Sequence, residues 1–264
     1  MGSSIDWRAR LDSAIGPGGP AFPLGGGAWR VAIGGRQLVV KTGAGSLDEA
    51  AGLRLLAAVA DGPPVPEVVL AEPELLVTAW VDQASRTPEH EEALGRMLAG
   101  LHTARWSEWG GGSSWIGACH VDPSPAADAT GFYGARLLEL ATRCGLEATI
   151  APLIARLPHL LPPGAPALVH GDLWWGNVLW SSDGRPWLID PSVHGGHPEE
   201  DLAMLALFGA VPDRLLRAYL EAAPLPGGWP ERVELFQLYP LLVHTVLFGG
   251  GYRARAEAVV RRYV

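Results

Sequence analysis

The chain has 264 residues, 48% of them hydrophobic, and a formal net charge of −8, enough for a sizeable core in one large domain or two lobes and unsuited to a polyanionic partner such as nucleic acid. No apolar run is long enough to cross a bilayer, the charged N-terminal stretch "MGSSIDWRARLD" has no secretory h-region, and two cysteines, Cys119 and Cys144, make neither a disulfide framework nor a metal-ligand spacing. A cytoplasmic protein with no membrane contact is expected. The first eighty residues read as strands with one helix. "AWRVAIGG" (28–35) and "RQLVVKT" (36–42) are β-rich runs meeting at Gly34-Gly35, a hairpin signal. "SLDEAAGLRLLAAVA" (46–60) has helical spacing, with Leu47, Leu53, Leu56 and Val59 as candidate core contacts. A Pro-rich turn and two short apolar strands fill 61–81. Beyond residue 82 the pattern becomes helical. "TPEHEEALGRMLAGLHTAR" opens with Thr87 as N-cap and Pro88 at the first helical position, and carries an apolar face of Leu94, Met97, Leu98 and Leu101. Further helices fall on "GFYGARLLELATRCG", "DLAMLALFG", "PDRLLRAYLEAA" and "ERVELFQLYPLLVHTVLF". Between them, 167–192 reads as strand, loop, strand, Asp-Gly turn, strand. The expected architecture is α+β and bilobal: a small β-rich N-terminal lobe (1–80), a hinge near 78–82, and a larger, mainly helical C-terminal lobe (81–264) carrying one β-hairpin.

Three separated elements carry chemistry. "HGDLWWGN" holds His170, Asp172 and, after four intervening residues, Asn177. "LID" ends in Asp190, one hairpin later. Lys41, the one lysine against nineteen arginines, lies on a strand behind the glycine run Gly25, Gly26 and Gly27. Phosphoryl transfer from ATP needs these parts: an Asp to orient and deprotonate the acceptor hydroxyl, an Asn and a second Asp to hold Mg²⁺, a Lys to reach the phosphates, and a flexible loop to cover them. A compact ammonium on a thin stem suits the phosphate site better than a planar guanidinium, so a lysine at this position in an arginine-rich chain is informative.

At these residues the chain resembles the kinase-like phosphotransferases, and more closely the fructosamine/ketosamine-3-kinase family. "HGDLWWGN" is similar to the family's HGDLWSGN, and "IDPSVHGGHPEEDLAMLALFG" and "LFQLYPLLVHTVLFGGGY" (235–252) resemble its later motifs. The resemblance runs from about Gly25 to Tyr252. It implies a protein-kinase-like fold and transfer of a phosphoryl group from Mg-ATP to the 3-hydroxyl of a ketoamine, free or on a glycated lysine side chain, as a repair of glycation. It also implies roles: Asp172 as base, Asn177 and Asp190 as metal ligands, and Asp201 as a support of the catalytic-loop backbone. His170 is expected to shape that loop. Trp174 and His194 are expected at the acceptor, and Thr78 to Trp80 as the hinge along adenine. Departures from the family pattern are Trp175 for Ser, Val193-His194 for a Tyr pair, and Pro240 and Val243 for polar residues.

Some alternatives stay open in the sequence. Glu49 fits a helix glutamate paired with Lys41, and equally a capping box with Ser46. Asp201 fits a helix N-cap as well as a loop support. His194, His197 and Glu199 suggest a metal cluster with His170 but lack a zinc spacing. Only ten residues separate Asp190 from Asp201, which leaves no room for a peptide-binding activation segment, so the acceptor is expected to be a small molecule or one modified side chain. Other acceptors, such as an aminoglycoside or an amino alcohol, and a catalytically silent nucleotide-binding protein are the competing readings.

Overall fold

The computed structural model describes residues 6–264; the first five residues of the charged N-terminal stretch lie outside them. Five antiparallel strands form one sheet in the order β1-β2-β3-β5-β4: β1 Ala21–Gly25, β2 Ala28–Ile33, β3 Arg36–Thr42, β4 Val68–Glu72 and β5 Leu75–Ala79. The Gly34-Gly35 turn between β2 and β3 has φ of 56° and 80°, which two glycines adopt without a Cβ clash and which matches the twist of a two-residue hairpin. Alternation along β3 decides the rest of this lobe. Leu38 and Val40 point to a core shared with Val31, Ile33, Leu75 and Val77. Val39 and Lys41 point to the opposite face.

A helix that periodicity did not announce, α1 (Trp7–Ala14), closes that core. Leu11 is its one buried residue, Trp7 stacks on Trp29 at 4.9 Å, and Asp6 caps it by accepting from Ala9 N–H. A single apolar anchor gives no amphipathic pattern, so the first eighty residues hold two helices rather than one. The second, α2 (Ser46–Ala57), buries Ala50, Leu53 and Leu56 but leaves Leu47 47% exposed, so Leu47 is not a core contact.

The helical region begins with α3 (Pro88–Thr103). Thr87 Oγ1 accepts from His90 N–H, and His90 Nδ1 accepts from Thr87 N–H, a reciprocal cap. Leu94, Leu98 and Leu101 are fully buried against α7 (Asp213–Ala222). A second and larger core joins α4 (Ala129–Cys144), α5 (Glu147–Leu160), α6 (Glu199–Leu207), α8 (Trp229–Phe248) and α9 (Gly251–Tyr263). The two helices missing from the sequence reading have evident reasons. α5 contains Pro152 and Pro158, and α9 buries only Ala256, Val259 and Val260.

Short strands between the helices place the chemistry. β8 (Ala167–Val169) pairs with β11 (His194–Gly196), and β9 (Val178–Trp180) pairs with β10 (Pro186–Leu188) around the Asp183-Gly184 turn. A small hairpin, β6 (Trp115–Ile116) with β7 (Cys119–His120), lies beside them.

Candidate active site

The β9–β10 register sets Leu188 opposite Val178, and Ile189 N–H donates to Asn177 O at 3.1 Å. The hairpin therefore returns Asp190 beside Asn177 for purely local reasons. Asp190 has φ of 56°, one of two non-glycine residues in the left-handed region among the described residues. Such a conformation costs energy, and tertiary structure maintains it at this site.

Lys41, from the far side of β3, meets Asp190 across 149 positions of sequence: Nζ to Oδ1 is 2.8 Å. It also donates to both oxygens of Glu49, at 2.8 and 2.7 Å. The Glu49 alternative is thus decided for the ion pair. The N-cap of α2 is Gly45 with no side-chain cap bond, and the Ser46 hydroxyl donates to Gly43 O instead. Burial lowers the Lys41 pKa, but the charges of Glu49 and Asp190 outweigh it and leave it raised, so the ammonium stays protonated. Burial is also the main influence on Glu49, pushing its carboxyl up to about 7 despite Lys41.

Asp172 lies on the loop after β8, where burial and the neighbouring Asp190 charge raise its pKa to about 7, against the pull of Asn177. Asn177 Nδ2 donates to Asp172 O at 2.8 Å and reaches Oδ2 at 3.4 Å. The loop itself is pinned from behind. Asp201 is 1% exposed and accepts from His170 N–H at 2.8 Å and Gly171 N–H at 2.9 Å. His102 completes its coordination from α3 at 3.0 Å, with Tyr219 OH 2.8 Å from the other ring nitrogen. Burial raises the Asp201 pKa, but the His102 hydrogen bond and charge prevail and hold it below the usual range. Pro198, not Asp201, stands at the N-cap of α6, so the loop-support reading describes Asp201. His102 was not expected here; a histidine inside an amphipathic helix carries no sequence signal for a partner 99 residues away.

His170 is fully buried. Its Nε2 donates to Ile189 O at 3.0 Å, its Nδ1 accepts from Asp172 N–H at 3.3 Å, and burial keeps its pKa low. It spans the loop and the strand end as a neutral brace. Gly171 has φ of 80°, and a Cβ there would stand 2.0 Å from Ser192 O, so no side chain fits where protein kinases carry Arg.

Two continuous halves of one cleft share Lys41, Glu49 and Asp190. The first, about 330 Å³, is an apolar slot between Leu24, Ala28 and Val39 on one side and Leu179 and Ile189 on the other. Its edge is 78–81. Thr78 is buried within β5, Ala79 N–H is bonded to Glu67 O, and Trp80 N–H is bonded to Gln37 O. The N–H groups of Ala79 and Trp80 are therefore engaged within the sheet; Val81 N–H is the next donor along the slot, with no protein acceptor among the described residues. The Trp80 ring borders the slot under the Arg30 guanidinium, 4.4 Å away. Gly26 and Gly27, with φ of 57° and 76°, make the tight β1–β2 turn at the rim, next to Gly25.

The second half, about 750 Å³, contains Asp172 and Asn177 and is walled by Trp174, Met204, Val243, His244 and Phe248. Trp174 is 40% exposed, and an aromatic series runs from it through Phe208 and His244 to Phe248. One expectation fails here. His194 is 3% exposed, donating from Nδ1 to Ser192 O at 2.9 Å while Arg136 Nη1 lies 2.8 Å from Nε2, so it braces the loop from within and does not line the acceptor half. Trp175 turns away from the cleft onto Trp180 and Arg86, whose guanidinium is 4.4 Å from its ring. Of the departures from the family pattern, Val243 is the one that lines this half of the cleft.

The donor set suits a hard cation. With its Nδ2 committed to Asp172, Asn177 Oδ1 has no protein partner among the described residues, and Asp190 keeps Oδ2 free of Lys41. One amide and one carboxylate oxygen beside a phosphate-sized space fit Mg²⁺, which takes few protein ligands and completes its shell with phosphates and water. Among the described residues no three His, Cys, Asp or Glu side chains converge on a common metal position, which disfavours the zinc alternative.

The fructosamine kinase family model matches residues 46–264. A Thermus thermophilus protein named probable ketoamine kinase is 36% identical over 247 residues, covering 89% of this chain and 90% of that one. A crystal structure from Thermobifida fusca, described as a candidate fructosamine-3-kinase, superposes with a TM-score of 0.87 at 37% identity, covering 98% and 97% of the two chains. The fold extends further: an aminoglycoside phosphotransferase in ternary complex with ADP and hygromycin B superposes with a TM-score of 0.65 at 19% identity and 98% coverage of both chains. The architecture is the bilobal protein-kinase-like α+β fold.

Proposed function

The chain belongs to the fructosamine kinase family, and from that premise we propose that it transfers the γ-phosphoryl group of ATP to a ketoamine hydroxyl, the 3-hydroxyl of a fructosamine or ribulosamine. The observation that carries this reading is the grip of Glu49 and Asp190 on Lys41 in the same half of the cleft as the Asp172–Asn177 pair. The apolar slot takes the adenine ring, with Val81 N–H at its edge and 78–82 as the hinge between lobes. The glycine turn at 25–27 covers the phosphates, and Lys41 binds them. Asn177 and Asp190 would hold Mg²⁺, which would supply charge neutralisation on the transferring group.

In the transfer, the acceptor oxygen bonds to the γ-phosphorus, the bond from that phosphorus to the bridging oxygen breaks, and ADP leaves. The hydroxyl proton passes to Asp172, whose pKa of about 7 is matched to a base working near neutrality. Most of the rate comes from orientation and electrostatics, since the reaction asks little covalent help from the protein.

The acceptor half favours an amine. Asp172 and Asp190 line it with carboxylates, Lys41 is its one Lys or Arg among the described residues, and Trp174, His244 and Phe248 offer ring faces. A secondary ammonium suits both features. No helix among the described residues is long and apolar enough to cross a membrane, and both cysteines are free thiols, which supports a role in the cytoplasm.

The test is ADP release with Mg-ATP across ketoamines of several sugar lengths, free and on glycated peptides, with aminoglycosides and choline as controls. A new sugar-phosphate resonance by ³¹P NMR on ketoamines alone is the expected result. Turnover confined to a control discards the acceptor, and ATP binding without any turnover discards the activity.

A further inference from the structure

Asp48 immediately precedes Glu49 on α2, yet its carboxylate reaches the other lobe. Oδ2 accepts from the Ser114 backbone N–H at 2.8 Å and from the Ser114 hydroxyl. The same segment is fastened on its far side. Ser113 N–H donates to Val193 O at 2.8 Å, and the Ser192 hydroxyl donates to Trp115 O at 2.8 Å. Ser192 and Val193 follow Asp190 by two and three positions. Gly45, the N-cap of α2, lies on Trp115 so closely that a Cβ there would sit 3.1 Å from the Trp115 side chain. Residues 113–115 therefore touch both the helix that presents Glu49 and the strand end that presents Asp190, the two carboxylates that grip Lys41.

We propose that Asp48 and Ser114 form a cross-lobe clamp that sets the position of Glu49, and through it of Lys41, for phosphoryl transfer. The inference rests on the kinase roles assigned to Lys41 and Glu49. Two features of α2 make such a clamp necessary. Its first turn has no side-chain cap, and Leu47 is exposed, so its buried anchors begin only at Ala50 apart from the small Ser46. The Asp48 charge in that turn is favoured by the helix dipole, and its Ser114 donors are neutral, so the contact is a geometric tie between the lobes rather than an ion pair. Displacing a positioned phosphate ligand by about 1 Å costs up to about a hundredfold in rate. Asp48 and Ser114 are thus positioning residues, acting through Glu49.

The test is steady-state kinetics and Mg-ATP affinity for the wild type, Asp48→Ala, Asp48→Asn, Ser114→Ala, Glu49→Gln and the two doubles with Glu49→Gln. Asp48→Ala is expected to lower kcat/KM for ATP by about tenfold or more, with acceptor KM within about twofold. Asp48→Asn keeps an acceptor oxygen and is expected to recover activity to within about threefold of wild type. In the Glu49→Gln background both clamp variants are expected to add less than about twofold, because residues acting in series are not additive. Ser114→Ala leaves α2 itself unaltered, so its loss in the wild-type background and silence in Glu49→Gln carry the test even if Asp48→Ala does not fold. Full multiplication with Glu49→Gln, or an effect confined to acceptor KM, overturns the clamp. Absence of Mg-ATP binding by the wild type overturns the kinase reading and the clamp with it, whereas an impaired Glu49→Gln beside intact Asp48→Ala and Ser114→Ala overturns the clamp alone.

Discussion

Glu49→Gln separates catalytic from structural value at one atom pair. In the wild type Lys41 Nζ meets three carboxylate oxygens within 2.8 Å, two of them from Glu49. The glutamine keeps the shape, retains one oxygen and turns an N–H₂ group toward the ammonium. Losing a charge-assisted bond at a positioned cation is worth about 1.5–3 kcal/mol, so kcat/KM for ATP is expected to fall by about ten- to a hundredfold. The stability arithmetic runs the other way. Burial holds the Glu49 carboxyl at about 7 in the folded chain against 4.5 ordinarily. Between those values the folded protein keeps a proton that the unfolded chain releases, so raising the pH through this window costs stability. The raised pKa of Lys41 returns part of that cost, because its ammonium is favoured in the fold. The uncharged glutamine removes the penalty and the compensation together. At pH 8 the thermal midpoint of Glu49→Gln is expected to equal or exceed that of the wild type, where 1 kcal/mol corresponds to about 2–4 °C. Calorimetry and steady-state kinetics on one preparation read both quantities. A midpoint lowered by more than about 5 °C with kcat/KM within about twofold would refute the reasoning and make Glu49 a structural anchor.

Asp172→Asn is expected to lose about a hundredfold or more in kcat while Mg-ATP affinity, read by titration calorimetry, stays within a few fold; unchanged turnover removes Asp172 from the base role. Gly171→Ala must place a methyl 2.0 Å from Ser192 O at φ of 80°, so a loss of about 1–3 kcal/mol in urea denaturation is expected, with a fall in kcat as the loop shifts. Wild-type stability across that substitution would show that the loop is not held as tightly as the packing implies. Acid stability turns on His197, stacked on Phe236 at 5.5 Å with its pKa lowered by burial to about 4. Below pH 6.5 the unfolded chain gains a proton the folded one refuses, so its stabilising contribution is present above 6.5 and lost as pH falls toward 4. In urea melts at pH 7.5 and 4.5, His197→Gln is expected to shrink the acid loss by about 2–3 kcal/mol, and an undiminished loss would place the acid sensitivity elsewhere.

Within one continuous segment, the sequence reading is close to the structure. The spacing of Asp172 and Asn177 and the Asp-Gly turn after them force Asp190 back to Asn177, because a two-stranded hairpin fixes its own register within a dozen residues. The alternation of β3 likewise put Lys41 on the face opposite Leu38 and Val40. Those residue types at those spacings are the ones that the proposed phosphate-and-metal chemistry requires, whichever neighbours surround them.

Everything that depends on which side of a residue meets a distant one had to await the tertiary structure. Glu49 has two sound local partners, and only the approach of β3 to α2 chooses Lys41 over the helix start. Trp174 and Trp175 are adjacent and chemically alike, yet one lines the larger half of the cleft and the other packs on Trp180, because the loop's turn through Asn177 sends their rings to opposite sides. His194 looked like a pocket residue and is a buried brace, held through Arg136, 58 positions earlier in the chain. The pairing of Asp48 with Ser114 has no motif at all, since neither residue type is unusual and they lie 66 positions apart. Periodicity and spacing report what a chain does with its near neighbours. Contacts across lobes arise from the closure of long loops and the packing of whole elements, and no short stretch of sequence encodes them.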